Sequence, residues 1–243
     1  MKAFKLYKHK IRSPFGRLAY KIMRKGLLLR FDSVVVCSVT FGMLDKIVKG
    51  VLNDTPKLFY VKDFKFYMWM GICIVKPRYL KTKDEIKSIL SALNERVEAL
   101  CIPMMDASEY DKVLFVHDWI CRKVKYIDVG LDSHSAVGPL LYGEGVCEGI
   151  AMATKLLLDR MGVDCCVVKG EARSNEYSGD IESHGWNKVK VNGKWFNLDV
   201  TFDCTIGSPY SIRYDYFLVS DHSIQKTHCE LEYSGLKCDE DAI

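Results

Sequence analysis

Three residues of this 243-residue sequence have the types and settings that thiol chemistry needs. Cys147 follows a glycine-punctuated loop and opens a predicted helix, where unpaired backbone N–H groups and the helix dipole favour a thiolate. His184 and Asp199 lie in the segment HGWNKVKVNGKWFNLDVTFD. An imidazole that is oriented by a carboxylate can shuttle protons to and from a thiolate. The three residues therefore indicate nucleophilic catalysis.

The segment that contains His184 also predicts how this residue meets Asp199. Asn192 and Gly193, between two alternating runs, are typical of a two-residue type I′ hairpin turn. In that register His184 lies opposite Thr201, and Asp199 is its diagonal neighbour on the same face, within reach of a hydrogen bond. The alternative is a strand-end histidine beside a surface charge. The opposite face would pack on the core through Val189, Val191, Phe196, Leu198 and Val200, while Asp203 would lie beyond the paired stretch, away from His184.

The blocks around these residues resemble the transglutaminase-like superfamily, whose members are relatives of papain in the core of their fold. YGEGVCEGIA surrounds Cys147, the hairpin segment carries His184 and Asp199, and YFLVSD follows at 216–221. The stretch YDKVLFVHDWICRKVKY at 110–126 resembles the helix that precedes the nucleophile in bacterial members. The resemblance implies an α+β, papain-like core with helices packed on an antiparallel sheet.

The resemblance also implies the role of each residue. Cys147 would be the nucleophile at a helix N-terminus, His184 the general base and acid, and Asp199 the residue that orients His184. The chain would then attack peptide or side-chain amides through an acyl-enzyme, as a peptidase, an amidase (including the peptide–glycan type) or a transglutaminase. We favour hydrolysis over acyl transfer. The alternative function is a non-catalytic peptide- or protein-binding module that retains the fold.

Two departures from the family pattern concern the surroundings of the nucleophile. Bacterial members commonly have Gln and Tyr where this chain has Glu148 and Ile150. An aromatic residue that often precedes the nucleophile is replaced by Val137. The side-chain donor of the oxyanion hole is therefore unassigned, with Tyr142 and Trp186 as candidates.

Helices and strands must position these residues. A capping box at Thr82 and Glu85 predicts one helix, a second starts near Asp106, and a third covers 147–161 with Gly162 as its stop. The region 32–52 has no clear assignment, and polar loops are expected at 173–183 and 203–213. Helices followed by strands indicate an α+β fold. The predicted strands cover 57–61, 64–75 (ended by Pro77), 164–171, 185–191, 194–201 and 216–219.

Composition and charge add a domain hypothesis. The sequence is 49% hydrophobic and 27% charged, which excludes a disordered or low-complexity chain. Ten basic and no acidic residues occur in 1–31, whereas the remaining residues carry 25 basic and 31 acidic side chains. We predict a basic arm and lead-in over 1–55, a catalytic domain over 56–230 and an acidic tail over 231–243. The arm suits anionic lipid or nucleic acid; the alternative is a solvated, partly helical extension.

The ten cysteines carry little further signal. Without a secretory leader we expect reduced thiols in a cytoplasmic protein, membrane-peripheral through the arm if that binds lipid, and most thiols buried. Cys229 and Cys238, with two histidines nearby, match no common zinc spacing, so we expect no metal and no cofactor. His117 lies on the apolar stripe of its helix beside Asp118 and is predicted to be a hydrogen-bonded core histidine. A peptide or protein substrate is the expected partner, and the oligomeric state is not indicated.

Overall fold

A computed structural model of the chain describes residues 3–37, 39–173, 180–206, 212–231 and 234–242. The chain forms two compact units, one of Lys5–Ser91 and the other of Met1–Phe4 with Ala92–Ile243. The described helices are α1 (Leu6–Lys10), α2 (Pro14–Leu28), α3 (Phe41–Asn53), α4 (Lys83–Cys101), α5 (Glu109–Lys123), α6 (Cys147–Met161), α7 (Val200–Ile206) and α8 (Asp221–Ile224). The described strands are β1 (Val34–Cys37), β2 (Val61–Trp69), β3 (Ile72–Tyr79), β4 (Lys125–Tyr126), β5 (Glu144–Gly145), β6 (Cys165–Ala172), β7 (Glu182–Val191), β8 (Lys194–Leu198) and β9 (His228–Glu230).

The unit of Lys5–Ser91 has its own apolar core. Helices α2 and α3 and the antiparallel sheet β1-β3-β2 enclose it. The basic segment contributes directly, because α2 buries Tyr20, Met23 and Leu27 on one face. The predicted domain boundary between residues 55 and 56 stays a prediction. The boundary between the two compact units lies between Ser91 and Ala92, inside α4.

The strand predicted at 64–75 is a hairpin in the structure. Met70 and Gly71 form its turn with φ of 44° and 77°, which divides β2 from β3. Pro77 lies within β3 opposite Phe64 rather than ending a strand. A proline is tolerated at this position because β1 pairs only with residues 72–75 of β3. Among the described strands, the edge of β3 that faces β1 therefore has no hydrogen-bonding partner at Pro77. The strand predicted at 57–61 is wrong as well, since Pro56–Leu58 form a 3₁₀ turn.

The unit that contains Cys147 confirms the α+β prediction. Its antiparallel sheet has the order β8-β7-β6-β9, and α6 packs on β7. Helix α6 covers the predicted residues and ends at Gly162 with φ of 82°. Helix α5 begins later than predicted, at Glu109, because Ser108 Oγ accepts a hydrogen bond from the Asp111 N–H (3.1 Å) and caps it. The capping box that starts α4 is present, with Thr82 N donating to Glu85 Oε2 (2.7 Å).

The hairpin register is the predicted one from the turn to the end of β8. Asn192 and Gly193 have φ of 51° and 84°, and Asn187 pairs with Leu198. The strand predicted to continue to residue 201 nevertheless stops at Leu198. The side chain of Asp199 instead caps helix α7, which begins at Val200. Thr201 lies in this helix and does not pair with His184.

The second face of this sheet is buried too, by the C-terminal part of the chain. Lys188 has no exposed side-chain area and its Nζ contacts Asp221 Oδ1 (2.9 Å) and Glu230 Oε1 (2.7 Å). The strand predicted at 216–219 forms only one bridge, Asn197 with Val219, since Leu218 has a φ of 53° that breaks the extended run. The fourth strand is β9 instead.

The polar loops predicted at 173–183 and 203–213 lie partly outside the described residues. Within the described ranges, no helix has both the length and the apolar character that crossing a membrane requires.

Candidate active site

Cys147 is the first residue of α6, where its sulfur meets several hydrogen-bond donors. The N-cap residue Val146 has no capping side chain, so the first-turn N–H groups are left for other acceptors. The sulfur accepts from the backbone N–H groups of Glu148 and Gly185 and contacts the imidazole of His184. Burial alone would raise the pKa of Cys147, but His184 and these N–H groups lower it below that of an ordinary thiol.

His184 lies on β7 between the sulfur and a carboxylate. Its Nε2 donates to Asp199 Oδ2 at 2.6 Å, which leaves Nδ1 for Cys147. Burial of the ring favours the neutral form, yet the Asp199 carboxylate and the Cys147 sulfur raise the pKa of His184 to about 10. The two shifts both favour a thiolate beside an imidazolium, which is the activated form of a cysteine nucleophile.

Asp199 is buried, and hydrogen bonds surround its carboxylate. Oδ1 accepts from the N–H groups of Thr201 (2.9 Å) and Phe202 (3.2 Å), which begin α7. Oδ2 accepts from both His184 and His228 (2.9 Å). Burial would raise the pKa of this carboxyl, but the two imidazoles hold it well below its usual range. Asp199 thus stays ionised and fixes the ring of His184, as the hairpin register predicts.

His228 is the residue of this cluster that the sequence did not reveal. It lies on β9, and its Nδ1 accepts from the hydroxyl of Thr227 at 2.8 Å. The chain alone contains no local signal for this contact, because it depends on β9 pairing with β6. Ligand atoms of His184, Asp199 and His228 lie within 4.8 Å of one another and are able to hold a metal ion. Their hydrogen bonds already account for the arrangement without one.

The two candidates for the oxyanion donor have different positions. Trp186 is buried, its Nε1 donates to Asn197 Oδ1 (3.2 Å), and its ring lies almost parallel to that of His184. Gly170 makes room for the indole, since a Cβ there would lie 2.6 Å from Trp186 Cη2. Tyr142 is 54% exposed at the end of the turn Gly138–Tyr142. The indole N–H of Trp186 is thus committed to Asn197, and the oxyanion roles of both residues remain predictions.

Tyr126 also lies close to the Cys147 sulfur. The sequence predicted only that it ends the helical stretch 110–126, with no contact to Cys147. It lies on β4, which pairs in parallel with β5, so that Tyr126 aligns with Gly145, two residues before Cys147. Its phenol oxygen accepts from the backbone N–H of Cys147 and also contacts the sulfur. A backbone N–H at the nucleophile is the donor that a developing oxyanion needs. The Tyr126 hydroxyl therefore marks where such an oxygen would bind.

The second histidine of interest, His117, lies away from Cys147. It is fully buried on α5, with Nε2 on Asp203 Oδ2 (3.1 Å) and Nδ1 on Asp118 Oδ1 (3.1 Å). This confirms the predicted hydrogen-bonded core histidine. Asp203 pairs with His117 rather than with His184, in agreement with its predicted place beyond the paired stretch.

The chain is similar to several solved structures. No curated protein matches the sequence. Among solved structures, a TGase is 14% identical, with 58% of this chain matched to 44% of that chain at a TM-score of 0.40. A candidate cysteine protease from Cytophaga hutchinsonii is 14% identical (57% of this chain, 61% of that chain, TM-score 0.32). A candidate protease from Parabacteroides distasonis is 16% identical (56% and 35%, TM-score 0.33).

The chain therefore spans less than two thirds of the length of each of these structures. The model of the transglutaminase-like superfamily matches residues 99–200, the part of the chain that contains Cys147, His184 and Asp199. Residues 99–200 are therefore similar to members of the transglutaminase-like superfamily.

Proposed function

We propose that this chain is a thiol enzyme that cleaves or exchanges amides of peptides or side chains through an acyl-enzyme on Cys147. One observation carries the proposal: a continuous path of contacts from the Cys147 sulfur through His184 to the buried, ionised Asp199. A structural cysteine would need neither a charged histidine nor backbone donors at its sulfur.

The geometry supplies a proton path for each step. The thiolate of Cys147 attacks the amide carbonyl carbon, and the backbone N–H of Cys147 stabilises the oxygen that becomes negative. Nδ1 of His184 then gives its proton to the amide nitrogen, the C–N bond breaks, and a thioester remains on Cys147. Next, the neutral imidazole removes a proton from water or an amine, which attacks the thioester and restores the thiolate.

Hydrolysis is the outcome that we favour over acyl transfer, because water needs no binding site of its own. The partition is measured by incubating the enzyme with an amide donor peptide and increasing concentrations of a fluorescent primary amine. We expect free acid to dominate at all amine concentrations below saturation. If the amine adduct dominates at low millimolar amine, the protein is an acyltransferase of the transglutaminase type.

The experiment that tests the proposal is the capture of the acyl-enzyme. A peptide library is incubated with the protein, the reaction is quenched in acid, and the peptide that contains Cys147 is analysed by mass spectrometry. We expect a thioester adduct on Cys147 that Cys147→Ala lacks. Cys37→Ser, which removes an exposed thiol from the other compact unit, is the matched control and should keep the adduct.

The competing function is a module that binds peptides without reacting. Alkylation by iodoacetamide separates the two, because an activated thiolate reacts well below the pKa of about 8.5 of an ordinary thiol. We expect Cys147 to be labelled at pH 6 while Cys37 is not. Equal labelling of both thiols, together with no captured adduct, would favour the binding module.

A further inference from the structure

We propose that Cys121 and Cys204 are a dithiol site that peroxides or low-molecular-weight disulfides oxidise reversibly to a disulfide. The two residues lie on α5 and α7, 83 positions apart in sequence, and their sulfurs are 2.7 Å apart. A covalent disulfide has a sulfur separation of about 2.05 Å. The bond therefore requires only a small approach of two side chains that already face each other. Both side chains are partly exposed, so small oxidants can reach them.

The surroundings assign different roles to the two sulfurs. Cys204 donates its S–H to Cys121, and the buried His117 lies 4.0 Å from the Cys121 sulfur, one helical turn earlier on α5. Burial would lower the pKa of His117, but hydrogen bonds with Asp203, Cys121 and Asp118 raise it to about 10, so the ring stays charged. The Cys204 hydrogen bond and His117 together lower the pKa of Cys121, against the effect of burial. Cys121 is thus the attacking thiolate and Cys204 the resolving thiol.

The reaction balances with the oxidant alone. The Cys121 thiolate attacks a peroxide oxygen, the O–O bond breaks, and the released hydroxide takes up a proton as water, which leaves a sulfenic acid on Cys121. The Cys204 sulfur then attacks the Cys121 sulfur, its proton leaves with the hydroxyl group, and a second water forms. Two thiols lose two electrons in total and the peroxide gains them. With a disulfide oxidant, a mixed disulfide takes the place of the sulfenic acid.

The test uses the full chain with Cys147→Ala, so that the proposed nucleophile does not consume oxidant. The protein is treated with equimolar hydrogen peroxide or glutathione disulfide, digested without reduction and analysed by mass spectrometry. We expect one linked peptide pair, Cys121 with Cys204, that dithiothreitol reverses. It should form at least tenfold faster than any adduct on the exposed Cys37. Separate oxidation of the two thiols without a link, or a link no faster than the Cys37 adduct, would overturn the proposal.

A second variant checks the order of the two steps. With Cys204→Ser, the intermediate on Cys121 cannot be resolved, so dimedone should trap a sulfenic acid there after peroxide treatment. Trapping on no residue, or on Cys37 alone, would contradict the assignment of Cys121 as the attacking thiol.

A different observation carries a second inference, about the outer face of the sheet β1-β3-β2. We infer that this face docks on an anionic lipid surface. Trp69 and Met70 project at the tip of the β2–β3 hairpin with exposed fractions of 72% and 83%. Behind the tip, Val35, Ile74 and Tyr67 form an exposed apolar row across the three strands.

Positively charged side chains next to this apolar face indicate what it binds. Lys65 pairs across the strands with Lys76, whose Nζ lies 5.4 Å from the Tyr67 ring, and both lysines are exposed. Two copies of such a basic surface would repel each other, whereas anionic headgroups attract lysines while the acyl boundary accepts tryptophan.

The test is sedimentation with vesicles of phosphatidylserine and phosphatidylcholine, compared with phosphatidylcholine alone. We expect binding to the anionic vesicles that weakens as salt rises, and at least a tenfold loss of binding for the pair of changes Trp69→Ser and Met70→Ser. Ile102→Ser, which removes an exposed apolar side chain from the other compact unit, is the control and should bind normally. Equal binding to neutral vesicles, a dimer that the hairpin changes dissolve, or preference for RNA over vesicles would overturn the inference.

Discussion

The compact unit that contains Cys147 holds two groups in which a cysteine, a histidine and a buried aspartate meet. In one, His184 connects Cys147 to Asp199. In the other, His117 lies near Cys121 and binds Asp203. The residue types are the same, yet the first sulfur begins a helix and accepts backbone N–H groups, whereas the second lies inside a helix and faces another thiol. The environment of the sulfur, more than the identity of its neighbours, distinguishes the proposed nucleophile for amides from the proposed redox dithiol.

One short helix connects the two groups. Asp199 caps the N-terminus of α7, and Asp203 follows one turn later on the same helix. Asp199, which precedes the helix, binds His184, whereas Asp203, which lies within it, binds His117. Matched substitutions in the two groups, first at the cysteines and then at the aspartates, test whether the groups differ in function as they do in geometry.

The largest difference is expected between the two cysteines. Cys147→Ala should lower amide turnover by at least about a thousandfold, because the loss of a nucleophile leaves only binding and oxyanion stabilisation. Cys121→Ala should keep turnover within about threefold, a change that a steady-state assay resolves easily. Equal losses in the two variants would mean that both sulfurs serve one reaction and that the comparison fails.

The two aspartates should differ in what they support. Asp199→Asn should lower kcat by about a thousandfold or more, since the amide mis-sets the imidazole tautomer while the fold persists. Asp203→Asn should instead lower the free energy of unfolding by about 1–3 kcal/mol, because it weakens a buried hydrogen bond to His117. Turnover and urea denaturation of both variants are the measurements. A stable but inactive Asp203→Asn would reverse the assignment.

The pH profile distinguishes a charged from a neutral His184. With its pKa raised to about 10, the imidazolium keeps the proton for the leaving amine through neutral pH. Turnover should therefore persist up to about pH 10 and fall about tenfold per pH unit above it. On the acid side it should fall only where the Cys147 thiolate takes up a proton, below the ordinary thiol range. A profile that already falls above pH 6.5 would indicate a His184 that is neutral at physiological pH instead.

The smallest effect is expected at His228. His228→Ala removes one of the two imidazole donors to Asp199 Oδ2, and a charge-assisted hydrogen bond contributes about 1.5–3 kcal/mol, so we expect kcat to fall about tenfold. His228→Gln keeps an N–H donor and should recover part of that loss. A merely structural residue would change the thermal midpoint of both variants without the partial rescue of kcat.

Much of the site follows from the sequence because it depends on local rules. Asn192 and Gly193 specify the turn, the turn fixes the register, and the register places His184 beside Asp199. The end of β8 could not be predicted in the same way, since DVTFD alternates as a strand does. Its helix forms because the Asp199 carboxylate accepts the first N–H groups of α7, a contact that exists only in the folded site.

Long-range pairing accounts for the other missed residues. His228 reaches Asp199 because β9 adds to β6, and Tyr126 reaches Cys147 because β4 pairs with β5. Neither pairing has a turn or a periodic pattern that would reveal it. Lys188 shows the same limit, because its burial depends on acidic residues that return from the C-terminal part of the chain.

The hairpin also bears on the order in which the site assembles. His184 and Asp199 are 15 residues apart, whereas Cys147 is more than twice as far from His184 along the chain. Closing the shorter loop costs less entropy, and hairpins form within about 1–10 μs. Loop closure therefore favours contact between His184 and Asp199 over contact of either residue with Cys147. An unfolded chain lacks the neighbours that lower the pKa of Cys147, so its thiol at position 147 would react like an ordinary one.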